Sequence, residues 1–281
     1  MTRADLEAAF AHHRRHFSPF FVLGDPTPEL SVELARAAVA AGATMLELGI
    51  PYRDPCADGP AIQRACARAF AAGSTTERAL ATLAAIDAAC PGVPKNLLVY
   101  GNLAHARGLS RFCRELAAAG ASSLLVPDIP LGEDAALLAA CAAADLGHVR
   151  LVGPRSNAER IAASAAGCAL LYVAGVQGVT GTPQTLRSER AALLARVAAA
   201  APGVPLCAGF GIGSRADVEH ALAGGAAIAV VGSRLAEVIA EHAPTAAAGS
   251  DPRALTAAVA AAVRALLPQP PVRDPSPVTG A

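Results

Sequence analysis

The chain has 281 residues, of which 53% are hydrophobic and only 16% are charged. This composition excludes a disordered polyelectrolyte and supplies enough apolar material for a large buried core. Lysine plus arginine and aspartate plus glutamate both total 23, so the net charge is zero, which argues against nucleic acid as the main partner because no basic excess neutralises its phosphates.

The seven cysteines are scattered, and no two of them form a Cys-x-x-Cys pair. The histidines also lack metal-ligand spacing, so the sequence predicts neither a metal site nor a disulfide framework. Residues 1–7 include acids and lack the apolar core of a signal peptide. No Ala-rich stretch reaches the roughly 18 apolar residues of a membrane span. We therefore expect a cytoplasmic protein that has no membrane partner.

One pattern recurs along the chain, in which an Ala-rich helical segment ends in glycine and a short apolar run follows. Glycine just past a helix supplies the left-handed backbone that closes its C-terminus. The short apolar run predicts a strand buried on both faces. With a first apolar run added, eight strands are expected, within residues 20–23, 44–48, 95–100, 123–126, 149–152, 169–172, 204–207 and 227–231.

The sequence predicts a helix after the first strand, because Thr27 can cap its N-terminus and Pro28 suits its first position. Eight strand–helix units in a chain of this length predict an α/β fold, a (β/α)₈ TIM barrel. A Rossmann-like open sheet is the alternative, because periodicity does not report closure. The absence of Gly-x-Gly-x-x-Gly after the first strand argues against a dinucleotide site.

The C-terminal part predicts no second domain. We expect a linker near residues 243–252, and Asp251-Pro252-Arg253 then opens a last helix that ends near Leu267. Residues 268–281 are rich in proline and are expected to form a disordered tail. The predicted domain is thus one barrel over residues 1–267 with an extra C-terminal helix.

Glu47 is the leading candidate for chemistry, since barrels of this kind place the active site at the C-terminal ends of their strands. Alternation puts Met45, Glu47 and Gly49 on one face of the second strand. A carboxylate in a buried strand is costly unless it has a partner or a catalytic role, and a hydrogen-bonded structural glutamate is the alternative. Asp54 and Asp58 follow in a long loop, where each could be a turn former or part of an acid/base pair.

Glycine-rich segments follow the last three strands, at Gly178–Gly181, Gly209–Gly213 and Gly232-Ser233. Backbone amides in such loops and at a helix N-terminus form the usual phosphate cradle of these barrels. A single glycine is weak evidence because turns also need glycine, but three such loops together predict a phosphate site. Asp128, at the end of the fourth strand, could orient a neighbouring group or be structural.

Two runs closely resemble the signature of the tryptophan synthase α-subunit family: Leu46-Glu47-Leu48-Gly49-Ile50-Pro51 and Asp54-Pro55-Cys56-Ala57-Asp58-Gly59-Pro60-Ala61-Ile62-Gln63. Further family motifs, in the family's order, are Gly24-Asp25-Pro26, Tyr100-Gly101-Asn102, Asp128-Ile129-Pro130, Gly178-Val179-Thr180-Gly181, Gly209-Phe210-Gly211-Ile212 and Gly232-Ser233. The match covers roughly Leu6 to Leu267. The resemblance implies a lyase of tryptophan biosynthesis that cleaves indole-3-glycerol phosphate to indole and D-glyceraldehyde 3-phosphate by retro-aldol chemistry.

The resemblance also implies roles for individual residues. Glu47 would shuttle the protons, and Asp58 would hydrogen-bond the indole N–H and stabilise positive charge on the ring, as a fixed anion can. Tyr172 would help to position Glu47 or the substrate. The indole would be walled by Phe20, Leu98, Leu125 and Ile212, and the phosphate would lie against Gly181, Gly211, Gly232 and Ser233.

No metal or organic cofactor is implied for this chain. Pyridoxal phosphate would belong to a β subunit, which takes up indole through a channel in an α₂β₂ assembly. Asp54 and Pro55 would lie in the loop that contacts this partner.

Three departures from the family pattern bear on that partner more than on the chemistry. Arg53 replaces a usual serine in the contacting loop, Gly175 stands where serine is common, and Gly153-Pro154-Arg155 replaces a more usual Ala-Pro-Thr. One alternative is therefore a stand-alone lyase that releases free indole. The other alternative is a non-catalytic activating subunit that keeps the barrel fold. The presence of both Glu47 and Asp58 argues against this alternative.

Overall fold

The eight strands expected from the sequence form a closed barrel in a computed structural model, which describes residues 3–11, 15–56, 58–175, 183–247 and 252–269. Each strand pairs in parallel with its neighbours in chain order, and the last pairs with the first, so the open-sheet alternative is excluded. The strands are β1 (His16–Val22), β2 (Leu46–Gly49), β3 (Lys95–Leu98), β4 (Ser123–Leu125), β5 (Gly147–Val152), β6 (Leu170–Val173), β7 (Leu206–Ala208) and β8 (Ile228–Val231).

Helices follow the strands around the outside of the barrel. Two helices follow β2 and two follow β3, where the expected unit has one. Within the described residues the helices are α1 (Arg3–Ala11), α2 (Pro28–Ala40), α3 (Pro60–Ala71), α4 (Thr76–Ala89), α5 (Gly101–Arg107), α6 (Leu109–Ala118), α7 (Ala135–Ala143), α8 (Ala158–Ala165), α9 (Pro183–Ala200), α10 (Arg215–Ala223), α11 (Ser233–Ala247) and α12 (Pro252–Leu266). None of them is long and apolar enough to cross a membrane.

Several local predictions are confirmed, and one is wrong. Thr27 caps α2, because its hydroxyl oxygen accepts a hydrogen bond from the Leu30 amide at 3.2 Å. The last helix is present as α12. The linker expected near 243–252 is wrong in its first half, because α11 runs on to Ala247. Residues 270–281, most of the predicted disordered tail, lie outside the described residues.

The alternation expected for β2 divides its side chains between two apolar layers. Met45 packs in the barrel interior with side chains of the other strands. Leu46 and Leu48 pack in the layer between the barrel and its helices. Glu47 is two residues after Met45, so its side chain is on the same face of the chain and lies inside the barrel.

Helix α1 closes the N-terminal end of the barrel. Leu6 is fully buried among the interior side chains, and the Arg3 amide donates to the Asp145 carbonyl, just before β5, at 3.0 Å. The ring of Phe10 meets the His16 ring edge-on at 5.5 Å. The barrel is thereby sealed at this end, so access to its interior is from the C-terminal ends of the strands.

A buried ion pair fastens the loop after β1 to the helical layer. Both carboxylate oxygens of Asp25 accept hydrogen bonds from Arg68 of α3, at 2.8 Å each. Arg68 also donates to the Ala236 carbonyl of α11 at 3.4 Å. The Asp25 side chain is only 1% exposed, and burial raises its pKa despite the opposing charge of Arg68.

We therefore expect Arg68→Leu to lower the free energy of unfolding by about 3–5 kcal/mol, because it leaves a buried carboxylate without a partner. Urea denaturation at pH 8 measures the loss. Arg36→Leu is the matched control, because it removes an exposed helical ion pair with Glu33, which contributes little. A loss no larger than that of the control would contradict a structural role for the buried pair.

Candidate active site

A cleft of about 1320 Å³ opens at the C-terminal ends of the strands. Its walls come from the barrel interior and from the loops after β2, β6, β7 and β8. Most of the residues singled out in the sequence line it, namely Phe20, Glu47, Asp58, Leu98, Tyr172, Gly211, Ile212, Gly232 and Ser233.

The remaining predicted residues lie elsewhere. Leu125 is 1% exposed and is covered by other side chains of the barrel interior, so it does not line the cleft. Gly181 falls outside the described residues. Asp54 is exposed in the loop after β2, whereas Pro55 is buried there.

Glu47 is held inside the barrel by hydrogen bonds from two other strands. Its Oε2 atom accepts from Asn96 Nδ2 at 2.9 Å, and its Oε1 atom accepts from the Tyr172 hydroxyl at 3.1 Å. The register places Asn96 of β3 directly beside Glu47. Ser123 of β4 in turn donates to Asn96 Oδ1 at 2.8 Å, which orients the amide so that its NH₂ group faces the carboxylate. The acid therefore has a single, supported position.

Burial changes the proton affinity of this carboxyl group. Glu47 is 1% exposed, and desolvation raises its pKa to about 7. The hydrogen bonds from Asn96 and Tyr172 act in the opposite direction, while the negative charge of Asp58 adds to the rise. Both protonation states of Glu47 are therefore populated near neutral pH, as a group that must both donate and accept a proton requires.

The position of Tyr172 depends on a glycine in the next strand loop. A Cβ atom at Gly209 would lie 1.7 Å from the Tyr172 hydroxyl oxygen, a distance that no side chain can tolerate. The Phe210 ring then contacts the Tyr172 ring edge-on, with centroids 5.8 Å apart. Gly209 is therefore needed because it lets the phenol reach Glu47.

Asp58 is held from the opposite side by aromatic residues. Its Oδ2 atom accepts from the Tyr100 hydroxyl at 2.9 Å, and the Tyr100 ring stacks on Tyr52 with centroids 4.7 Å apart. Asn102 donates to the Tyr52 hydroxyl at 2.9 Å. Burial raises the pKa of Asp58. These contacts join the loops after β2 and β3 and fix the second acid.

Sequence reasoning missed the supporting role of Asn96, although a signal was present. Asn96 is a polar residue within a short buried strand, and the argument used for Glu47 applies to it equally. Asp128 does orient a neighbouring group, since its Oδ1 atom accepts from the Gly101 amide at 2.8 Å at the start of α5. Its role here is structural.

The predicted phosphate loops after β7 and β8 also border the cleft. Gly211 has φ of +68°, a conformation that residues with side chains rarely adopt. Gly232 borders Phe20, and a Cβ atom there would lie 3.3 Å from the Phe20 ring. Helix α11 begins at Ser233, so its first amide groups and the positive end of its dipole are at the cleft wall. This wall offers hydrogen-bond donors to an anion.

Among the described residues, no group of three or more His, Cys, Asp or Glu side chains is arranged to hold a metal ion. Besides Glu47, Asp58 and Tyr172, the cleft is lined by further charged side chains, among them Glu189, Arg190, Arg196 and Arg234.

The model of one protein family, tryptophan synthase alpha chain, matches residues 6–264. The chain belongs to the tryptophan synthase alpha chain family. One relative, the tryptophan synthase alpha chain of Corynebacterium glutamicum, is 39% identical over 228 residues, which are 80% of this chain and 81% of the relative.

Solved structures of tryptophan synthase agree with this membership. A chain of the enzyme from M. tuberculosis is 32% identical with a TM-score of 0.76, and the match covers 94% of this chain and 99% of that chain. A chain of the α₂β₂ complex from Pyrococcus furiosus is 25% identical with a TM-score of 0.76, over 89% and 97% of the two chains.

The buried acid of this family member should cost stability at high pH. Folded Glu47 keeps its proton up to about pH 7, whereas in the unfolded chain it ionises near its ordinary pKa. Between these values the folded state binds more protons, so wild-type stability falls as pH rises. We expect the stability of Glu47→Gln relative to wild type to increase by about 3 kcal/mol from pH 4 to pH 8. Urea denaturation of both proteins measures this difference, and a pH-independent difference would contradict the raised pKa.

Proposed function

We propose that Glu47 and Asp58 carry the reaction of this alpha chain, a lyase that cleaves indole-3-glycerol phosphate in tryptophan biosynthesis. The products of this cleavage are indole and D-glyceraldehyde 3-phosphate. The observation that carries the assignment is the buried Glu47 carboxyl group, whose pKa is about 7, at the wall of a cleft that it shares with Asp58.

Glu47 serves first as an acid and then as a base. In its protonated form it donates to C3 of the indole ring, which leaves a positive charge shared with the ring nitrogen. The resulting carboxylate accepts the proton of the glycerol hydroxyl group next to the bond that breaks. The electron pair of the C–C bond returns to the ring, an aldehyde forms, and Glu47 ends the cycle protonated as it began. A pKa near the working pH suits both steps.

Asp58 acts on the charge that develops between these steps. An anion that is already in place stabilises an iminium-like ring without reorganising during the reaction. The Tyr100 hydroxyl holds Asp58 at 2.9 Å, which supplies this preorganisation. Tyr172 is a positioning residue, because its hydroxyl group donates to Glu47.

The two ends of the cleft suit the two ends of the substrate. Phe20, Leu98 and Ile212 provide apolar walls for the indole. The amides of Gly211, Gly232 and Ser233 and the N-terminus of α11 provide donors for the phosphate, and Gly181 joins them in this proposal. Leu125, which is covered in this structure, contributes to the indole site through the side chains that it supports.

The proposal extends to a β chain as partner, in an α₂β₂ tetramer to which this chain passes indole. The structural relative from Pyrococcus furiosus is such an α₂β₂ complex. Asp54 and its neighbour Arg53 are exposed in the loop beside the cleft, where a partner can reach them. Pyridoxal phosphate belongs to the β chain in this scheme. All seven cysteines are free, which suits the reducing cytoplasm in which we place the reaction.

Glu47→Gln should lower kcat for indole formation by about 10²–10⁴-fold, because the amide neither donates nor accepts the required protons. KM should stay near the wild-type value, since Gln fills the same volume. Steady-state assays of indole release measure both constants. Glu133→Gln, which changes an exposed acid in the loop before α7, is the control. Turnover by Glu47→Gln at the wild-type rate would refute the proton shuttle.

Addition of a tryptophan synthase β chain should stimulate indole formation by this chain. Arg53 is exposed in the loop that would contact this partner, and its guanidinium lies over the Phe70 ring of α3, 4.7 Å from the ring centroid. Arg53→Ser should therefore change the Kd for the β chain and leave indole release by the isolated chain unchanged. Full activity without stimulation would identify a stand-alone lyase, and no activity with or without the β chain would identify an activating subunit.

A further inference from the structure

Arg190 reaches the phosphate end of the cleft from the middle of α9. It lines the cleft together with Gly211, Gly213 and Ser233. Its Nη2 atom donates a hydrogen bond to the Gly211 carbonyl at 2.5 Å. A Cβ atom at Gly211 would lie 3.3 Å from the same nitrogen. The guanidinium therefore packs directly against the loop in which the phosphate amides lie.

The second terminal nitrogen of Arg190 lacks a protein partner among the described residues. Nη1 is buried from solvent and has no hydrogen bond in the part of the chain that the structure describes. The nearby Asp217 carboxylate is already engaged, because Arg187 donates to its Oδ1 atom at 2.8 Å and Ser214 donates to its Oδ2 atom at 2.6 Å. A buried cationic donor without a partner is costly. A bound anion would satisfy it.

The electrostatics of the cleft point to the same anion. A phosphate monoester carries up to two negative charges, and the two catalytic carboxyl groups oppose its entry. Backbone amides and a helix dipole supply only partial positive charges. Burial lowers the pKa of the Arg190 guanidinium, so a neighbouring anion would also stabilise its charged form. Arginine is well suited to this task because its planar fork donates in more than one direction.

We infer that Arg190 is a phosphate-binding residue, which donates from Nη1 to the substrate phosphate while Nη2 holds the Gly211 loop. This inference rests on the proposed function, because that function places the substrate phosphate at this end of the cleft. Arg190 adds a full positive charge beside the backbone amides. Arg234, which also lines the cleft, already lies 3.6 Å from Glu237 and from Glu241. The competing interpretation is that Arg190 only clamps the loop and does not touch the ligand.

Arg196 offers a matched control on the same helix. It also borders the cleft, but it is exposed and its Nη2 atom donates to the Pro154 carbonyl at 2.6 Å. Replacing either arginine with glutamine removes one positive charge from α9. Only Arg190 contacts the phosphate loop.

The experiment compares Arg190→Gln, Arg190→Lys and Arg196→Gln with the wild-type chain by calorimetric titration and steady-state kinetics. The probes are glycerol 3-phosphate, inorganic phosphate and uncharged indole. We expect Arg190→Gln to raise the Kd for glycerol 3-phosphate and the KM for indole-3-glycerol phosphate by about 10- to 100-fold, the effect of one charge-assisted hydrogen bond. The Kd for indole should change less than about twofold, and Arg196→Gln should behave as wild type.

The outcomes separate the interpretations. An unchanged Kd for glycerol 3-phosphate in Arg190→Gln would overturn the inference. A loop clamp alone predicts that Arg190→Lys weakens the phosphate probes as much as Arg190→Gln does, since both lose the fork that holds Gly211, and that result would also overturn it. If Arg190→Gln does not fold, Arg190→Lys decides, because it keeps the charge but cannot serve both partners at once. It should weaken only the phosphate probes. A wild-type chain that binds glycerol 3-phosphate through Arg190 but does not cleave the substrate would refute the proposed function and support this inference.

Discussion

A carboxyl group buried inside a closed barrel is the constraint on which the site depends. Leaving water raises the pKa of Glu47 to about 7, which suits the proton transfers proposed for this residue. The group is tolerated because Asn96 and Tyr172 donate to its two oxygens. The barrel must therefore provide polar partners at fixed positions on neighbouring strands, and Ser123 extends this support to β4. A buried acid with a raised pKa lowers stability near neutral pH, and the proposed acid and base roles of Glu47 require that raised pKa.

Barrel closure gives the site its one-sided form. Helix α1 fills the N-terminal end with Leu6, so the interior opens only where the strands end. Both acids come from the second strand unit, Glu47 from β2 and Asp58 from the loop after it, and the glycine amides come from the last two units. Tyr172, on the sixth strand, crosses the interior to reach Glu47. The two acids and the glycine amides thus border the same cleft from different strand units.

Much of the fold could be predicted because its signals are local. Glycine after a helix, short apolar runs and the Thr27 cap depend on residues close together in the chain, and the structure bears most of them out. The exception precedes β5, where Asp145 and not Gly147 takes the left-handed backbone after α7. The inward face of Glu47 follows from period-two alternation in its own strand. The prediction of a linker near residues 243–252 was wrong in its first half, because helix α11 continues through Pro244 to Ala247. The composition of this segment had favoured a break in the helix.

The sequence by itself determined the number of strands, the inward-facing acid of β2 and the glycine-rich loops, since each follows from neighbouring residues. Only the tertiary structure decided which side chains meet. Glu47 and Tyr172 are 125 positions apart, and their contact requires closure, register and the missing Cβ of Gly209. Closure also covers Leu125 and brings Arg190 against Gly211. Such contacts depend on the summed geometry of several strands, which no local pattern contains.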